Sequence, residues 1–487
     1  MLFKKSIEQP SFEIELISDQ VLLSHITHSI RGGFVTLNES LKYFDNPFTL
    51  SDMSKIQSLI ENIYGVYLDV KMLYGFVMRQ PLPIGIIRQV LPFEIGDILL
   101  KLRNPNFDPI NNDYGYWLLV DLDQNSKELQ DLTDRYPFAL ANENITKNHI
   151  SDYTSQLLHK TEENYVFNRL IGHHCKKSDY FLSGETLHMY LKFGVKLIKV
   201  HTAYVFRQTP WLRDYIDFNM QKRNSSRNAM ENSLFKLMNN SIFGKFLCNP
   251  QSYSEKHNIC TKKTKFCKLL NSENFKRLCI LDNNKVIVIS KKESVFMNAP
   301  HHIGFQILEK AKYHMYYLIY ENIYPRLSRY SPEIIYSDTD SIIMSIRIKV
   351  RDICKNSSNL AYEDFLKAMG EISNIIDTSN LHKCNPHYSL MKKNICGTLK
   401  HEFPLHFIES FIGLSPKTYS IKVSDYQVRR ISQLLNAYFQ DLYGHSISNV
   451  VINDVECGIF SINNQVITPD QFIYHFQKIN QSRTVLY

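Results

Sequence analysis

The sequence contains no Cys-x-x-Cys pair and no long apolar run, and each absence excludes a class of protein. Its nine cysteines are an odd number spread along 487 residues, which argues against a disulfide framework and against a zinc ribbon. No run of about 18 apolar residues is present, and the opening MLFKKSIEQPSF does not lead into an apolar signal core. We therefore expect a soluble, intracellular protein with reduced thiols and no membrane partner. No targeting signal selects a nuclear, cytoplasmic or mitochondrial address.

The composition is that of a large folded protein with a mild excess of positive charge. With 487 residues and 44% hydrophobic content, the chain can bury a sizeable core and should form more than one domain or subdomain. The formal net charge of +8 suits an anionic partner, but many basic proteins bind no nucleic acid, so this support is weak. A lysine-rich piece at 256–276 is most simply a solvated basic surface.

Residues 333–346 (EIIYSDTDSIIMSI) combine two apolar runs with a polar tip that carries Asp338 and Asp340. This pattern predicts two strands joined by a tight turn. Two carboxylates this close do not both ionise readily unless a cation lies beside them, and Mg²⁺ prefers oxygen ligands of this kind. The stretch therefore indicates a metal site. The alternative is an ordinary hairpin whose Asp and Ser residues cap the turn.

Four segments resemble the motifs of family B DNA polymerases, and they occur in the family's order. Residues 336–341 (YSDTDS) resemble its third palm motif, and residues 67–75 (YLDVKMLYG) are similar to its first. Between them, residues 236–244 (KLMNNSIFG) look like the fingers motif, and residues 416–419 (PKTY) look like the Lys-x-Tyr motif downstream. The closest resemblance is to the protein-primed branch of viruses, linear plasmids and self-synthesising transposons, where Leu-Tyr-Gly commonly replaces Leu-Tyr-Pro.

The resemblance implies an α+β fold shaped as a right hand, with palm, fingers and thumb. It divides the chain into a pre-palm segment with a Gly-Gly turn (1–66), a first palm part (67–100), an insertion of the protein-primed type (101–164), a palm continuation (165–210), fingers helices (211–249), a second palm part (250–400), and the Lys-x-Tyr motif with a small thumb (401–487). Palm residues would thus come from segments far apart in sequence.

The implied activity is template-directed DNA synthesis at a two-metal centre. Asp69, the backbone carbonyl of Val70, and Asp340 would bind two Mg²⁺ ions, for which Mn²⁺ could substitute, with Asp338 as an auxiliary carboxylate. Lys236 would stabilise charge on the triphosphate. The implied partners are primer-template DNA, deoxynucleoside triphosphates and a priming protein, with no small-molecule cofactor.

The resemblance also assigns contacts to the substrates. Spacing places Lys236, Asn240 and Phe243 on one face of a helix, and Tyr74 would stack beneath the incoming sugar as a gate against ribose. The implied nucleotide contacts are Val70, Leu73, Tyr74, Arg223, Arg227, Asn240, Phe243 and Gly244. The implied DNA contacts are Gly32, Gly33, Tyr336, Thr339, Lys417 and Tyr419.

Two further features bear on the activity. Only about thirty residues precede the Gly32-Gly33 turn, so we expect no proofreading exonuclease domain of the kind that the family places there. We interpret the pair Asp121 and Asp123 as the end of a strand, not as a second metal site. The alternatives are a non-catalytic remnant that binds primer-template DNA and a reverse transcriptase, although the latter has adjacent aspartates and no such fingers helix.

Overall fold

A computed structural model of the chain describes residues 14–108, 112–146, 149, 166–248, 255–282, 284–292, 299–350, 358–383 and 385–424. The predicted thumb beyond residue 424 and part of the predicted insertion lie outside these residues. The alternation of residues 12–17 (FEIELI) predicts a strand, but its described part, residues 14–17, forms none, so that prediction is wrong. The described chain is a mixed α/β protein, as the sequence predicts.

The strands are numbered in chain order. They are β1 (Val35–Leu37), β2 (Leu41–Tyr43), β3 (Glu61–Val70), β4 (Leu82–Gln89), β5 (Tyr114–Asp123), β6 (Ala141–Thr146), β7 (Val166–Ile171), β8 (Lys177–Ser183), β9 (Lys196–Thr209), β10 (Glu255–Cys260), β11 (Phe275–Asp282), β12 (Lys285–Lys291), β13 (Glu333–Asp338), β14 (Ser341–Lys349), β15 (Ile376–Asp377), β16 (Leu399–His401), β17 (Ile408–Ser415) and β18 (Thr418–Val423).

The helices connect these strands, and several begin at a side chain that caps the first turn. They span Gln20–His28, Met53–Ser58, Leu73–Met78, Ile95–Arg103, Lys127–Thr133, Gly184–Lys192, Arg213–Asn224, Ala229–Phe246, Lys263–Leu270, His301–Tyr316, Tyr324–Arg326 and Ser358–Glu371, with short 3₁₀ turns at Pro92–Glu94 and Ser328–Tyr330 and a π-helical segment at Tyr317–Ile323. Within the described ranges, no helix is long and apolar enough to cross a membrane.

A six-stranded sheet of order β1-β13-β14-β3-β16-β15 holds the predicted hairpin near its centre. Strands β13 and β14 pair antiparallel and leave a two-residue turn, in which Thr339 adopts a left-handed backbone with φ of 60°. The run Ile342-Ile343-Met344 of β14 is fully buried, so the sheet is covered on both faces, which explains its continuous apolar sequence. The predicted hairpin is therefore confirmed.

A second sheet has the order β4-β9-β5-β8 and is antiparallel throughout its described pairs. Strand β5 comes from the predicted insertion, yet it pairs with β9 and β8 on either side. A strand from the range 101–164 therefore pairs with two strands from outside that range. The division of the chain at 101 and 164 stays a prediction. Trp117 on β5 is fully buried, and its indole N–H donates a hydrogen bond to the Gln306 side chain at 2.8 Å.

The helix His301–Tyr316 is buried almost all round, and it contacts the helices Gly184–Lys192 and Leu73–Met78 as well as strand β4. The sequence pattern of residues 303–324 predicts a long amphipathic helix, and because this helix is buried on nearly all sides that prediction is wrong. Its polar side chains are accommodated by pairing, because Lys310 binds the carboxylate of Glu185 and Lys312 binds that of Glu309.

The helices Arg213–Asn224 and Ala229–Phe246 pack against each other, and both lie within the range 211–249 for which the sequence predicted helices. A buried hydrogen bond at 2.7 Å, from the Asn219 amide to the Asn239 side-chain oxygen, joins the pair. Trp211 lies just before the first helix, and its ring centroid is 6.2 Å from that of Phe246 at the end of the second.

A third sheet of order β10-β12-β11 carries the helix Lys263–Leu270, which contacts β10 and β12. It contains the lysine-rich piece that the sequence indicated as a basic surface.

Candidate active site

Strand register brings Asp69 to the tip of the hairpin. In the pairing of β3 with β14, Asp69 lies opposite Ser341, the first residue after the turn. The backbone N–H of Val70 donates to the carbonyl of Asp340 at 2.7 Å, which fixes the turn against the end of β3. Two acidic residues separated by some 270 positions in sequence thus meet on rigid, buried strands.

An open cavity of about 510 Å³ lies over this edge of the sheet, a volume in the range of ordinary ligand sites. Asp69 and Asp340 lie on one side of it, and the helices Arg213–Asn224 and Ala229–Phe246 lie on the other. Its lining residues are Asp69, Val70, Lys71, Met72, Leu73, Tyr74, Met220, Arg223, Asn224, Asn232, Lys236, Asn240, Asp340, Asn394, Ile395, Cys396, Lys400 and Glu402.

The two carboxylates are unfavourably placed as anions in the absence of a cation. Burial, with the nearby charges of Asp340 and Glu402, raises the pKa of Asp69 to about 7. Burial also raises the pKa of Asp340, and the charge of Asp338 acts in the same direction. The ammonium of Lys236 partly offsets both shifts. A hard divalent cation would relieve this cost, so these residues fit Mg²⁺.

Lys400 and Glu402 are site residues that the sequence did not reveal. Strand β16 pairs with β3 so that Lys400 lies opposite Asp69, and the Lys400 ammonium contacts the Glu402 carboxylate at 3.0 Å. No sequence motif identifies these two residues, because they reach the site only through the pairing of β16 with β3, which no local pattern predicts.

Asp338 does not line the cavity; its carboxylate is bound by Lys417. The ammonium lies 2.7 and 2.8 Å from the two carboxylate oxygens. The sequence assigned Asp338 to the metal centre and Lys417 to DNA, and it did not anticipate that they pair.

The side chain of Tyr336 is buried in this structure, and its assignment as a DNA contact stays a prediction. Its hydroxyl accepts a hydrogen bond from the backbone N–H of Lys417 at 3.0 Å, and its ring lies 4.7 Å from that of Tyr419. The Tyr419 hydroxyl is 3.3 Å from the hydroxyl of Tyr67. The tyrosines therefore join β18 to the central sheet and position Lys417.

Tyr74 lies on the cavity wall and stacks on Phe243, with ring centroids 4.3 Å apart and an interplanar angle of 15°. Burial and the charges of Asp340 and Asp338 raise the pKa of Tyr74 to about 12, so it is neutral at physiological pH. Phe243 thus supports Tyr74 from behind and does not line the cavity. Gly244 lies outside the lining as well, with open space around it.

The helices Arg213–Asn224 and Ala229–Phe246 bring Arg223, and Lys236 and Asn240, to the cavity. The Arg223 guanidinium donates to the Asn232 side chain at 3.2 Å. Arg227 lies outside the lining, and its backbone N–H donates to Glu231 at 3.1 Å. Of the two arginines indicated by the sequence, only Arg223 faces the site.

The Gly32-Gly33 turn packs against the hairpin turn. A Cβ on Gly33 would lie 2.2 Å from the Thr339 hydroxyl oxygen, whereas a Cβ on Gly32 would meet nothing within 4 Å. The Thr339 N–H donates to the Phe34 carbonyl at 2.8 Å. Gly33 and Thr339, both assigned to DNA by the sequence, contact each other here.

Outside this cavity, the described residues contain one group of three potential metal ligands close together, Asp121, Asp179 and His201. Asp121 accepts hydrogen bonds from the Asp179 N–H at 2.9 Å and pairs with His201 at 2.8 Å. The carboxylate is thus already satisfied, which is consistent with a structural role.

Comparison with known proteins gives matches among solved structures alone. No family model and no curated protein matches the chain. Phi29 DNA polymerase in an orthorhombic crystal form is similar at a TM-score of 0.46 and 17% identity, over 84% of this chain and 52% of that one. Its complex with primer-template DNA is similar at a TM-score of 0.41 and 18% identity, over 83% of this chain and 50% of that one. Its ternary complex with primer-template DNA and incoming nucleotides is similar at a TM-score of 0.43 and 17% identity, over 85% of this chain and 52% of that one.

The chain spans about half the length of these solved structures. Because the similarities are low, the function proposed below rests on the residues of the site.

Proposed function

We propose that the chain is a DNA-directed DNA polymerase that adds deoxynucleotides to a primer 3′-hydroxyl by two-metal nucleotidyl transfer. The observation that carries the proposal is the cavity itself. Two desolvated carboxylates, Asp69 and Asp340, face Lys236 and Arg223 across a space large enough for a nucleotide. The sequence motifs place the same residues in the same roles. Leu73-Tyr74-Gly75 further supports the protein-primed branch, and hence a priming hydroxyl on a protein.

The donor set suits Mg²⁺, with Asp69, Asp340 and the backbone of Val70 as the residues that would hold it. When bound, a pair of such ions lowers the pKa of the primer hydroxyl and neutralises the triphosphate and the leaving pyrophosphate. A right-hand arrangement of palm and fingers follows from this proposal, with the six-stranded sheet as the palm.

The remaining chemistry belongs to the side chains of the cavity. Lys236 and Arg223 offer fixed positive charge to the triphosphate, so no reorganisation is needed as negative charge develops on it. Asn240 lies one helical turn after Lys236 and can donate to the nucleotide. Tyr74, held flat by Phe243, would support the sugar. No side chain needs to act as a nucleophile.

Primer extension on a DNA template with Mg²⁺ tests the proposal, with an RNA template run in parallel. We expect Asp340→Asn to lower incorporation by a factor on the order of 10² to 10³ or more, because the amide keeps the shape but loses the charge. The matched control is Asp123→Asn, a strand-end aspartate in the other sheet, which should keep wild-type activity.

A rival function is binding of primer-template DNA without catalysis. Wild-type protein that binds primer-template yet incorporates nothing with Mg²⁺ or Mn²⁺ would favour this rival. Near-normal incorporation by Asp340→Asn would remove the metal assignment.

A further inference from the structure

The three-stranded sheet β10-β12-β11 and its helix, residues 255–292, concentrate the charge of the molecule. This segment, called here the basic module, contains ten lysines and arginines against three carboxylates, a net charge of +7 where the whole chain has +8. Four of the lysines, Lys262, Lys263, Lys265 and Lys268, lie on or next to the helix that covers β10 and β12. The rest of the chain is therefore almost neutral.

The basic module also exposes aliphatic side chains that a solvated charged surface would not need. Ile280 and Leu281 on β11 are 71% and 53% exposed, and Ile259 on β10 is 59% exposed. None of the residues of β11 is buried. Large exposed aliphatic groups clustered on one element indicate a surface that becomes covered by a partner.

The backbone of β11 is open for pairing. Strand β12 lies between β10 and β11, so β11 has one edge that pairs with no other strand among the described residues. An unpaired edge presents N–H and C=O groups that can bind an additional strand.

We propose that the β11 edge is a docking site for an extended acidic segment of a partner protein, which adds a strand to the sheet. Carboxylates of the segment would lie near the lysines, and its apolar residues would cover Ile280 and Leu278, two exposed residues that lie two positions apart and so share one face of β11. A second copy of the chain is disfavoured, because two modules of charge +7 repel each other. Nucleic acid would satisfy the charge but would leave the aliphatic side chains in water.

The test uses the full chain and a fluorescent peptide of eight residues, the length of β11, that alternates Asp or Glu with Val or Ile. We expect saturable binding that weakens with salt. Methylating every second backbone nitrogen of the peptide should abolish binding, because strand addition requires those N–H groups.

The variant Ile280→Lys separates the two kinds of partner. It removes apolar contact and adds positive charge, so peptide binding should weaken by about tenfold or more. The matched control is Ile198→Lys, an aliphatic residue of β9 that is 59% exposed, which should leave peptide binding unchanged. Circular dichroism verifies that both variants are folded.

Three results would overturn the proposal. The first is that the acidic peptide shows no saturable binding, and the second is that N-methylation does not affect it. The third is that Ile280→Lys binds the peptide normally while short duplex DNA displaces it, which would make the basic module a nucleic-acid surface.

Discussion

Asp69 and Asp340 are held at the edge of a buried sheet, where ionisation of a carboxyl group is costly. The charge of Asp340 raises the pKa of Asp69, and the charge of Asp338 raises that of Asp340. Without a bound cation, a carboxyl whose pKa is raised in the folded state destabilises the protein increasingly as the pH rises from its unfolded-state pKa to its folded-state pKa. For Asp69 the penalty grows as the pH rises from about 4 to about 7 and is complete above that range.

Replacing Asp69 with asparagine should therefore stabilise the protein while it removes activity. At pH 8 with EDTA, we expect the thermal midpoint of Asp69→Asn to exceed that of wild type by roughly 1–3 °C, because in a protein of this length each degree corresponds to about 1 kcal/mol of unfolding free energy. Adding Mg²⁺ should raise the midpoint of wild type by mass action and should leave that of the variant nearly unchanged. Differential scanning fluorimetry measures both effects.

The control for this measurement is again Asp123→Asn, which should respond to Mg²⁺ as wild type does. An Asp69→Asn protein that is less stable than wild type in EDTA would contradict the assigned electrostatics.

Tyr74 is the residue most suited to distinguish deoxyribose from ribose. Its ring stacks on Phe243 at the cavity wall, and under the proposed function this ring would clash with a ribose 2′-hydroxyl. We expect Tyr74→Val to incorporate ribonucleotides at least about tenfold more readily relative to deoxynucleotides, a change of about 1.4 kcal/mol in discrimination. Single-nucleotide incorporation kinetics with paired dNTP and rNTP substrates give the ratio.

The same kinetics on Phe243→Leu should show a smaller change in the same direction, because Tyr74 would lose its support. If Tyr74→Val keeps both activity and wild-type discrimination, another residue excludes ribose.

At the scale of elements, the turn at Gly32-Gly33 determines how the hairpin of β13 and β14 is held. Strand β1 pairs with β13, with Val35 opposite Asp338, and Gly33 lies against Thr339 immediately before that pairing begins. Any side chain on Gly33 must displace the turn that carries both aspartates of the hairpin.

Gly33→Ala should accordingly destabilise the protein by about 1–3 kcal/mol, the usual cost of overpacking, and should lower incorporation as well. Gly32→Ala is a matched control with open space around it, and its thermal midpoint should be close to that of wild type. Thr339→Gly should restore much of the loss in the double variant, since glycine also accepts the left-handed backbone at that position. Additive losses in the double variant would show that the contact is not the cause.

The elements that the sequence predicted are those defined by local pattern. The two apolar runs around Asp338 and Asp340 predicted a hairpin, and the spacing of Lys236, Asn240 and Phe243 predicted one face of a helix. The pairing of Lys417 with Asp338 and the position of Lys400 beside Asp69 depend on contacts between distant strands. No local pattern records such contacts, so the sequence could not reveal them.

At the scale of the whole molecule, uncharged histidines lie in the core. Burial lowers the pKa values of His302, His314 and His401 to about 4. The ring of His314 is hydrogen bonded to the Gly397 carbonyl at 2.8 Å, which requires the neutral form to donate from Nε2. In the unfolded chain each histidine titrates near its ordinary pKa of about 6.5.

Because the unfolded state binds more protons between these values, each histidine contributes stability that is present above about pH 6.5 and is lost as the pH falls toward 4. We expect His314→Gln to reduce the loss of thermal stability between pH 7 and pH 5, since the amide can still donate to Gly397 but does not titrate. The comparison with wild type at each pH cancels the opposite contribution of Asp69. His28→Gln, at an exposed position, is the control and should follow the wild-type profile.

The positions of the two tryptophans should allow intrinsic fluorescence to report a conformational change of the protein. Trp117 is fully buried between the β4-β9-β5-β8 sheet and the helix His301–Tyr316. Its fluorescence emission should therefore stay blue-shifted and constant while the protein is folded. Trp211 lies at the base of the fingers helices beside Phe246. A rotation of those helices would change the surroundings of Trp211 and leave those of Trp117 unchanged. Under the proposed function, stopped-flow fluorescence of the unlabelled protein would then follow the closure of these helices around a nucleotide.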